Sequence, residues 1–203
     1  MGSQYGEHEF VLKHFKEQKG RFLDIGAHDG KSFSNTWPLT EIGWTGVLVE
    51  PSPWVFPNLI KNYEGREGFE FICAPVVAEL IPGVIEWYDC GGDYYSTTKI
   101  GHRDRIQQYD SSRRFMKLWL SSLRLHELML AFPRFDYINI DVEGDNHNLL
   151  RMIGWLTERY PTLKPEMLCV EMDPKVQVLE VANTIFHDWY KHQIGGNLLL
   201  WKS

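Results

Sequence analysis

The run FLDIGAHDGKSFSNTWPLTEIGWTGVLVEP, from Phe22 to Pro51, holds a strand, a glycine turn, a helix and a second strand that ends in an acid. Phe22-Leu23-Asp24-Ile25 is a short apolar run bounded by glycines, the pattern of a buried parallel strand. Gly26 and Gly30 bracket the turn that follows. Glycine there permits a positive φ and a close approach of a ligand to the main chain, and the helix behind it directs free N–H groups to the same place. A second apolar run, Val47-Leu48-Val49, brings Glu50 to the carboxyl end of the neighbouring strand. An acid at that position can accept both hydroxyls of a ribose, so the stretch predicts a nucleoside-binding crevice.

The glycine spacing narrows the nucleoside. A dinucleotide site calls for G-x-G-x-x-G against a pyrophosphate, whereas here Asp24 precedes the turn and His28 stands where the middle glycine would be. A carboxylate repels a pyrophosphate and attracts an ammonium group. A nicotinamide dinucleotide is therefore disfavoured, and a cofactor with an amino acid tail fits. S-adenosylmethionine has such a tail.

The 203 residues, 43% of them hydrophobic, suit a single domain over 1–203 with one sizeable core. A net charge of −6 gives no footprint for nucleic acid or an anionic membrane, so no nucleic acid partner is expected. No run of 18 apolar residues occurs, and MGSQYGEHEF lacks the basic and apolar regions of a signal peptide. A soluble, cytoplasmic protein without membrane insertion is expected. Cys73, Cys90 and Cys169 have no zinc or redox spacing and read as buried free thiols.

Along the chain, 1–20 reads as an N-terminal helical extension with Phe10, Val11, His14 and Phe15 on one face, packing on the sheet edge or covering the cofactor. Helices are predicted over Lys31–Ile42, interrupted near Pro38, and over Trp54–Tyr63. Phe69–Val77 reads as a third strand, turned by Pro82-Gly83 into a hairpin with Val84–Tyr88. The polar segment 89–117 reads either as a solvated insertion or as a lid whose Tyr94, Tyr95, His102 and Arg103 face the ligand. A helix over Leu118–Leu130, ended by Pro133, leads to the strand Tyr137–Asp141 and the acids Asp141 and Glu143. A helix over 146–160, a strand Met167–Glu171 and a helix over Val176–Trp189 follow, and Gly195-Gly196-Asn197 signals an antiparallel pair at the sheet edge. Most of the eight tryptophans, among them Trp119, Trp155 and Trp189, are expected in the core, while Trp44 and Trp54 flank Glu50. Strands alternating with helices predict an α/β fold with a doubly wound, mostly parallel sheet.

With these motifs in place, the sequence resembles the FkbM-type methyltransferases, a branch of the class I S-adenosylmethionine-dependent enzymes. The resemblance spans about Phe22 to Glu171. Asp24-Ile-Gly26-Ala27-His28-Asp-Gly30 is similar to the family's D-x-G-A-N-x-G, Gly43-Trp44-Thr-Gly46-Val-Leu-Val-Glu50-Pro51-Ser-Pro53 to its G-W-x-G-x-x-x-E-P-x-P, and Asp141-Val-Glu143-Gly144 to its D-x-E-G. Two positions depart from the pattern: His28 replaces asparagine, and Asn146 replaces an acid two residues beyond the D-x-E-G glycine. The resemblance implies a Rossmann-like, seven-stranded sheet with an antiparallel C-terminal pair. It also implies O-methylation of a hydroxyl on a sugar, glycan or natural product. An N-methyltransferase acting on protein or nucleotide and a non-catalytic cofactor-binding domain are the rival readings.

Methyl transfer to oxygen needs an aligned nucleophile and a group to take its proton. The cofactor contacts expected are Asp24, Gly26, Ala27, His28 and Gly30 at the turn, Glu50 and Pro51 at the ribose, Ala74 near the adenine, and Asp141 at the reacting centre. Asp141 and Glu143 are the catalytic candidates. Two adjacent carboxylates either raise one pKa, as a general base requires, or share a divalent cation such as magnesium. Glu143-Gly144 also suits the start of a helix, and His147 reads as either another base or a helix-start residue. No metal ligands are assigned.

Overall fold

The computed structural model describes residues 2–202 apart from Glu17, Ile81, Pro82 and Pro133. In chain order the elements are α1 (Glu7–Phe15), β1 (Arg21–Ile25), α2 (Trp37–Glu41), β2 (Thr45–Val49), α3 (Phe56–Asn62), β3 (Phe69–Ile72), β4 (Val76–Val77) and β5 (Val84–Asp89). Then come α4 (Ile100–Tyr109), β6 (Met116–Ser121), β7 (Leu123–Arg124), α5 (Leu125–Ala131), β8 (Tyr137–Ile140), α6 (Asn146–Arg159), β9 (Met167–Glu171), α7 (Lys175–Thr184), β10 (Tyr190–Ile194) and β11 (Asn197–Trp201).

The main sheet has seven strands in the order β10-β11-β9-β8-β1-β2-β3. Strand β1 pairs in parallel with β2 on one side and β8 on the other. The chain winds outward from β1 to β2 and β3, then returns to β8, so the strand order reverses between β1 and β8. In an open α/β sheet that reversal opens a crevice at the carboxyl ends of the strands. The expected edge pair is present: β11 runs antiparallel to both β9 and β10 across the Gly195-Gly196 turn.

Successive residues of each central strand serve opposite faces, as the pleat demands. Leu23 and Ile25, Val47 and Val49, and Ile138 and Ile140 pack with side chains of α5, α6 and α7. Phe22, Leu48, Tyr137 and Cys169 pack on the other face with Val11 and Phe15 of α1, Trp37 and Leu39 of α2, and Leu59 of α3. The N-terminal helix thus covers a sheet face. Trp44 is buried there, its indole N–H donating to the Gln18 carbonyl at 2.7 Å.

Several expectations need correction. The helix expected over Lys31–Ile42 shrinks to Trp37–Glu41, because side chains take the amides before it. Asp29 Oδ1 accepts from the Lys31 and Ser32 amides, Ser34 Oγ accepts from those of Thr36 and Trp37, and Phe33 stands at φ +55°. The strand expected over Phe69–Val77 leaves the main sheet after Ile72, and Val76 pairs instead with Leu123. Strand β5 pairs antiparallel with β6 and makes no hairpin with the third strand. The Pro82 part of that turn and the break at Pro133 lie outside the described residues.

Residues 116–121 are strand rather than the start of a helix: Leu118 and Leu120 are half-buried while Lys117, Trp119 and Ser121 are exposed, an alternation of period two. The helix begins only at Leu125, where Leu125, Leu128 and Met129 share a buried face. Trp119 and Trp155 are exposed, so of the three tryptophans placed in the core only Trp189 lies there. Cys169 is buried, Cys90 half-buried and Cys73 exposed.

Candidate functional site

The carboxyl ends of β1, β2, β8 and β9 open into a cavity of about 460 Å³, closed over by residues of the 89–117 segment. That size and position suit a small ligand. The first wall is the turn after β1. Gly26 stands at φ +85°, and a Cβ there would lie 1.7 Å from the Asp141 carbonyl oxygen, so only glycine lets the β1 and β8 ends approach this closely. Its amide and that of Ala27 donate to the Val49 carbonyl at 2.9 and 3.0 Å. Gly30, at φ +70°, faces Leu59 and Tyr63 and does not line the cavity.

Asp24 lines the cavity but is already engaged. It is 2% exposed and accepts from the Thr36 hydroxyl at 2.6 Å and from Asn139 Nδ2 at 2.9 Å. Burial pushes its pKa up, and those two hydrogen bonds oppose the rise. Asn35 extends the network by donating to Asn139 Oδ1 at 3.0 Å, while its own buried Oδ1 has no partner. An unpartnered oxygen on a lining residue is available to a ligand donor.

Glu50 joins the loops that follow β1 and β2. Oε1 accepts from the Ser52 amide at 2.7 Å and Oε2 from the His28 amide at 2.9 Å, leaving each oxygen one lone pair for a ligand hydroxyl. Burial pushes its pKa up to about 7; the two amides oppose this and the charges of Asp89 and Asp24 add to it. Pro51 lines the cavity beside it.

His28, at φ +50°, uses its ring outside the turn. Nε2 donates to the Gly92 carbonyl at 3.1 Å, and the ring stacks on Tyr94 at 4.1 Å between centroids and 24° between planes. An imidazole therefore reaches the covering segment, a span for which an asparagine is too short. A second tie runs through buried Asp89, which accepts from the Ser52 hydroxyl at 2.6 Å and the Gly92 amide at 3.1 Å.

The segment 89–117 is structured: a loop, α4, and the first residues of β6. Tyr94 and Tyr95 line the cavity, and Arg113 pairs with Asp93 while lying over the Tyr95 ring. His102 and Arg103, on α4, do not line it; Arg103 lies over the Tyr88 ring.

The opposite wall is acidic. Asp141, Glu143 and Glu171 line the cavity from the ends of β8 and β9. Burial, then the Glu143 charge, pushes Asp141 up to about 7. Burial and the Asp141 charge hold Glu171 well above the ordinary carboxylate range. Ala74 and His147 do not line the cavity: Ala74 follows β3 after it has left the sheet, and His147 lies in the first turn of α6, where burial lowers its pKa.

No family model matches the chain. A 63-residue stretch is 32% identical to the membrane protein insertase YidC of Mycoplasma capricolum, a match that covers 31% of this chain and 16% of that protein's length. None of the described helices is long and apolar enough to cross a membrane. Two solved structures align over nearly the whole chain. A precorrin-6y C5,15-methyltransferase of Geobacter metallireducens has a TM-score of 0.52 at 11% identity, over 97% of this chain and 87% of that one. A protein of Escherichia coli assigned as the methyltransferase yhhF has a TM-score of 0.51 at 12% identity, over 96% and 82%.

The chain has the Rossmann-like class I methyltransferase fold. Within that fold the Gly26 turn, Glu50 and Asp141 stand at the ends of adjacent strands on one side of the sheet, as the sequence order predicts. Asn139, Asn35, Asp89 and Glu171 complete the site and are not picked out by the sequence motifs. Glu171 carried the one usable signal, an acid ending a parallel strand.

Asn146, which stands where the FkbM-type pattern has an acid, is held by the residues around it. Fully buried, it donates through Nδ2 to Glu171 Oε2 at 2.9 Å and to the Asp173 carbonyl at 3.1 Å, and its Oδ1 accepts from the Val142 amide at 2.9 Å. Asn146→Asp sets a carboxylate against two acceptors. A loss of about 3 kcal/mol in urea unfolding is expected at pH 8, shrinking toward pH 5 as carboxyls protonate. A pH-independent loss would refute this account of Asn146.

Proposed function

We propose that the protein is an S-adenosylmethionine-dependent methyltransferase of the FkbM type that methylates a hydroxyl oxygen of a sugar, glycan or other natural product. The observation that carries the reading is Glu50, a buried acid at the end of β2 whose oxygens are each held by one loop amide and each keep a lone pair toward the cavity. Two hydroxyls of a ribose match that pair of acceptors. The cradle formed by Gly26, Ala27 and His28, together with the unpartnered Asn35 Oδ1, fits the remainder of such a cofactor and its ammonium group.

When bound, the cofactor supplies a methyl group on a sulfonium, open to in-line displacement. The chain's own part is to hold the acceptor oxygen in line and remove its proton. Asp141 is suited to the second task, because a carboxyl pushed up to about 7 accepts a proton near neutral pH far better than an ordinary one. Glu143 raises it by charge. Tyr94 and Tyr95 on the covering segment exclude water and offer aromatic faces to the acceptor.

The reading is tested by calorimetric titration with S-adenosylhomocysteine. One site per chain at micromolar affinity is expected. Absence of binding at millimolar ligand would overturn the assignment.

A further inference from the structure

The acidic wall of the cavity is gripped from behind by α4. His102, on that helix, is 7% exposed, and its Nδ1 lies 2.9 Å from Arg105 Nη2. A guanidinium only donates, so Nδ1 accepts and the ring hydrogen stands on Nε2. That buried nitrogen makes no hydrogen bond elsewhere and lies 3.1 Å from Glu143 Oε2. The two are at hydrogen-bonding distance, and a slight turn of the ring or of the carboxylate aligns them. Arg105 is fixed in its turn, since the same Nη2 donates to Asp173 Oδ2 at 2.5 Å. Asp173, Arg105, His102 and Glu143 thus form a chain from the loop after β9, through α4, to the loop after β8.

A second contact acts on the main chain of the same acid. Glu143 stands at φ +49°, a left-handed conformation that is costly for any residue but glycine, and the Thr97 hydroxyl donates to its carbonyl at 2.6 Å. Thr97 and His102 both belong to the covering segment, so that segment holds Glu143 by backbone and by side chain. Glu143 itself lines the cavity beside Asp141.

We propose that His102 is a positioning residue: its Nε2–H holds Glu143 Oε2, and so keeps the Glu143 charge beside the base, Asp141. After burial, that charge is the largest influence raising Asp141 to about 7. The other charged groups facing Asp141 are Glu171, Asp24 and Glu50, and those facing His102 are Arg105 and Asp173. Without the Nε2–H, Glu143 turns away or gives up its charge, and either change lowers Asp141. The segment that closes the cavity thereby also sets the strength of the base. That Asp141 acts on an acceptor rests on the methyltransferase reading, whereas the link from His102 to Asp141 does not.

The test follows the Asp141 carboxyl by ¹³C NMR in cofactor-free protein labelled at aspartate, with the signal assigned by its loss in Asp141→Asn. In His102→Ala its titration midpoint is expected to fall by about one pH unit. His102→Gln, whose amide N–H replaces the Nε2–H, should keep most of the parent value. In a Glu143→Gln background His102→Ala should add nothing, which separates the proposed route from one through Asp173 and Glu171. An unchanged midpoint in His102→Ala, or an equal fall in the Glu143→Gln background, would overturn the proposal. A further check does not depend on the alanine variant folding. Long-range ¹H–¹⁵N spectra of the parent, with the ring assigned by its absence from His102→Gln, should show the hydrogen on Nε2, and a ring protonated on Nδ1 alone would also overturn the proposal. Because no cofactor is present, these outcomes stand apart from the S-adenosylhomocysteine titration.

Discussion

Replacing Gly26 by alanine is expected to cost about 4 kcal/mol or more, a large part of the 5–15 kcal/mol that holds a typical domain together. The new methyl carbon would lie 1.7 Å from the Asp141 carbonyl oxygen and 2.8 Å from its carbon. Both are backbone atoms at the end of β8, so no side chain can swing aside. Relief requires parting β1 from β8, and each of these strands carries buried residues to both faces of the sheet. The positive φ adds about 1 kcal/mol of strain. Gly65→Ala isolates that smaller part, since Gly65 has φ +76° but nothing within 4 Å of its ideal Cβ. Urea unfolding should therefore show a loss of about 1 kcal/mol for Gly65→Ala and several times more for Gly26→Ala. Equal losses in the two would mean that close strand approach does not explain the glycine after β1.

The same contact shows what could be read from the sequence. Gly26, Glu50 and Asp141 each end an apolar run, and where parallel strands end at a topological reversal their last residues meet in space. Glu171 obeys that rule as well, but its run leads into a plain helix and carries no glycine turn to mark it. Asn139 could not have been found this way. It is an isolated polar residue within β8, and its meaning comes from Asp24, 115 positions away.

The misread strand has a related cause. Leu118, Leu120, Leu123 and Leu128 satisfy both helical and alternating spacing over short windows, and the choice was made by β5, which pairs with β6 across the inserted α4. Local periodicity records a residue's own burial, not the identity of a distant partner.

Glu50→Gln is expected to weaken S-adenosylhomocysteine binding about 100-fold while altering how stability depends on pH. The carboxylate now takes two amides and retains two lone pairs; a glutamine supplies an NH₂ at one of those positions, facing either the His28 or the Ser52 N–H. One ribose hydroxyl then loses its acceptor, and one buried amide loses its partner. The pH effect follows from Glu50 standing at about 7 in the folded protein against an ordinary value of 4.5. Between those values the unfolded chain has released the proton and the folded chain retains it, so unfolding releases a proton. The stability Glu50 confers is complete below about pH 4.5 and is lost as pH rises to about 7, a difference of about 3 kcal/mol.

Burial sets this direction; the amides of Ser52 and His28 oppose it, and the smaller effects of the Asp89 and Asp24 charges add to it. The variant cannot titrate at this position. Without ligand, it should melt below the parent at pH 5, where the mismatched amide is the larger cost, and draw level with it or overtake it by pH 8. Thermal melts at half-unit pH steps would show the two curves converging. Parallel curves would place the elevated carboxyl elsewhere. Parallel curves with the 100-fold loss of binding intact would leave Glu50 as the ribose acceptor but show it to be ionised throughout, so that the cofactor would meet a charge rather than a neutral acid at the end of β2.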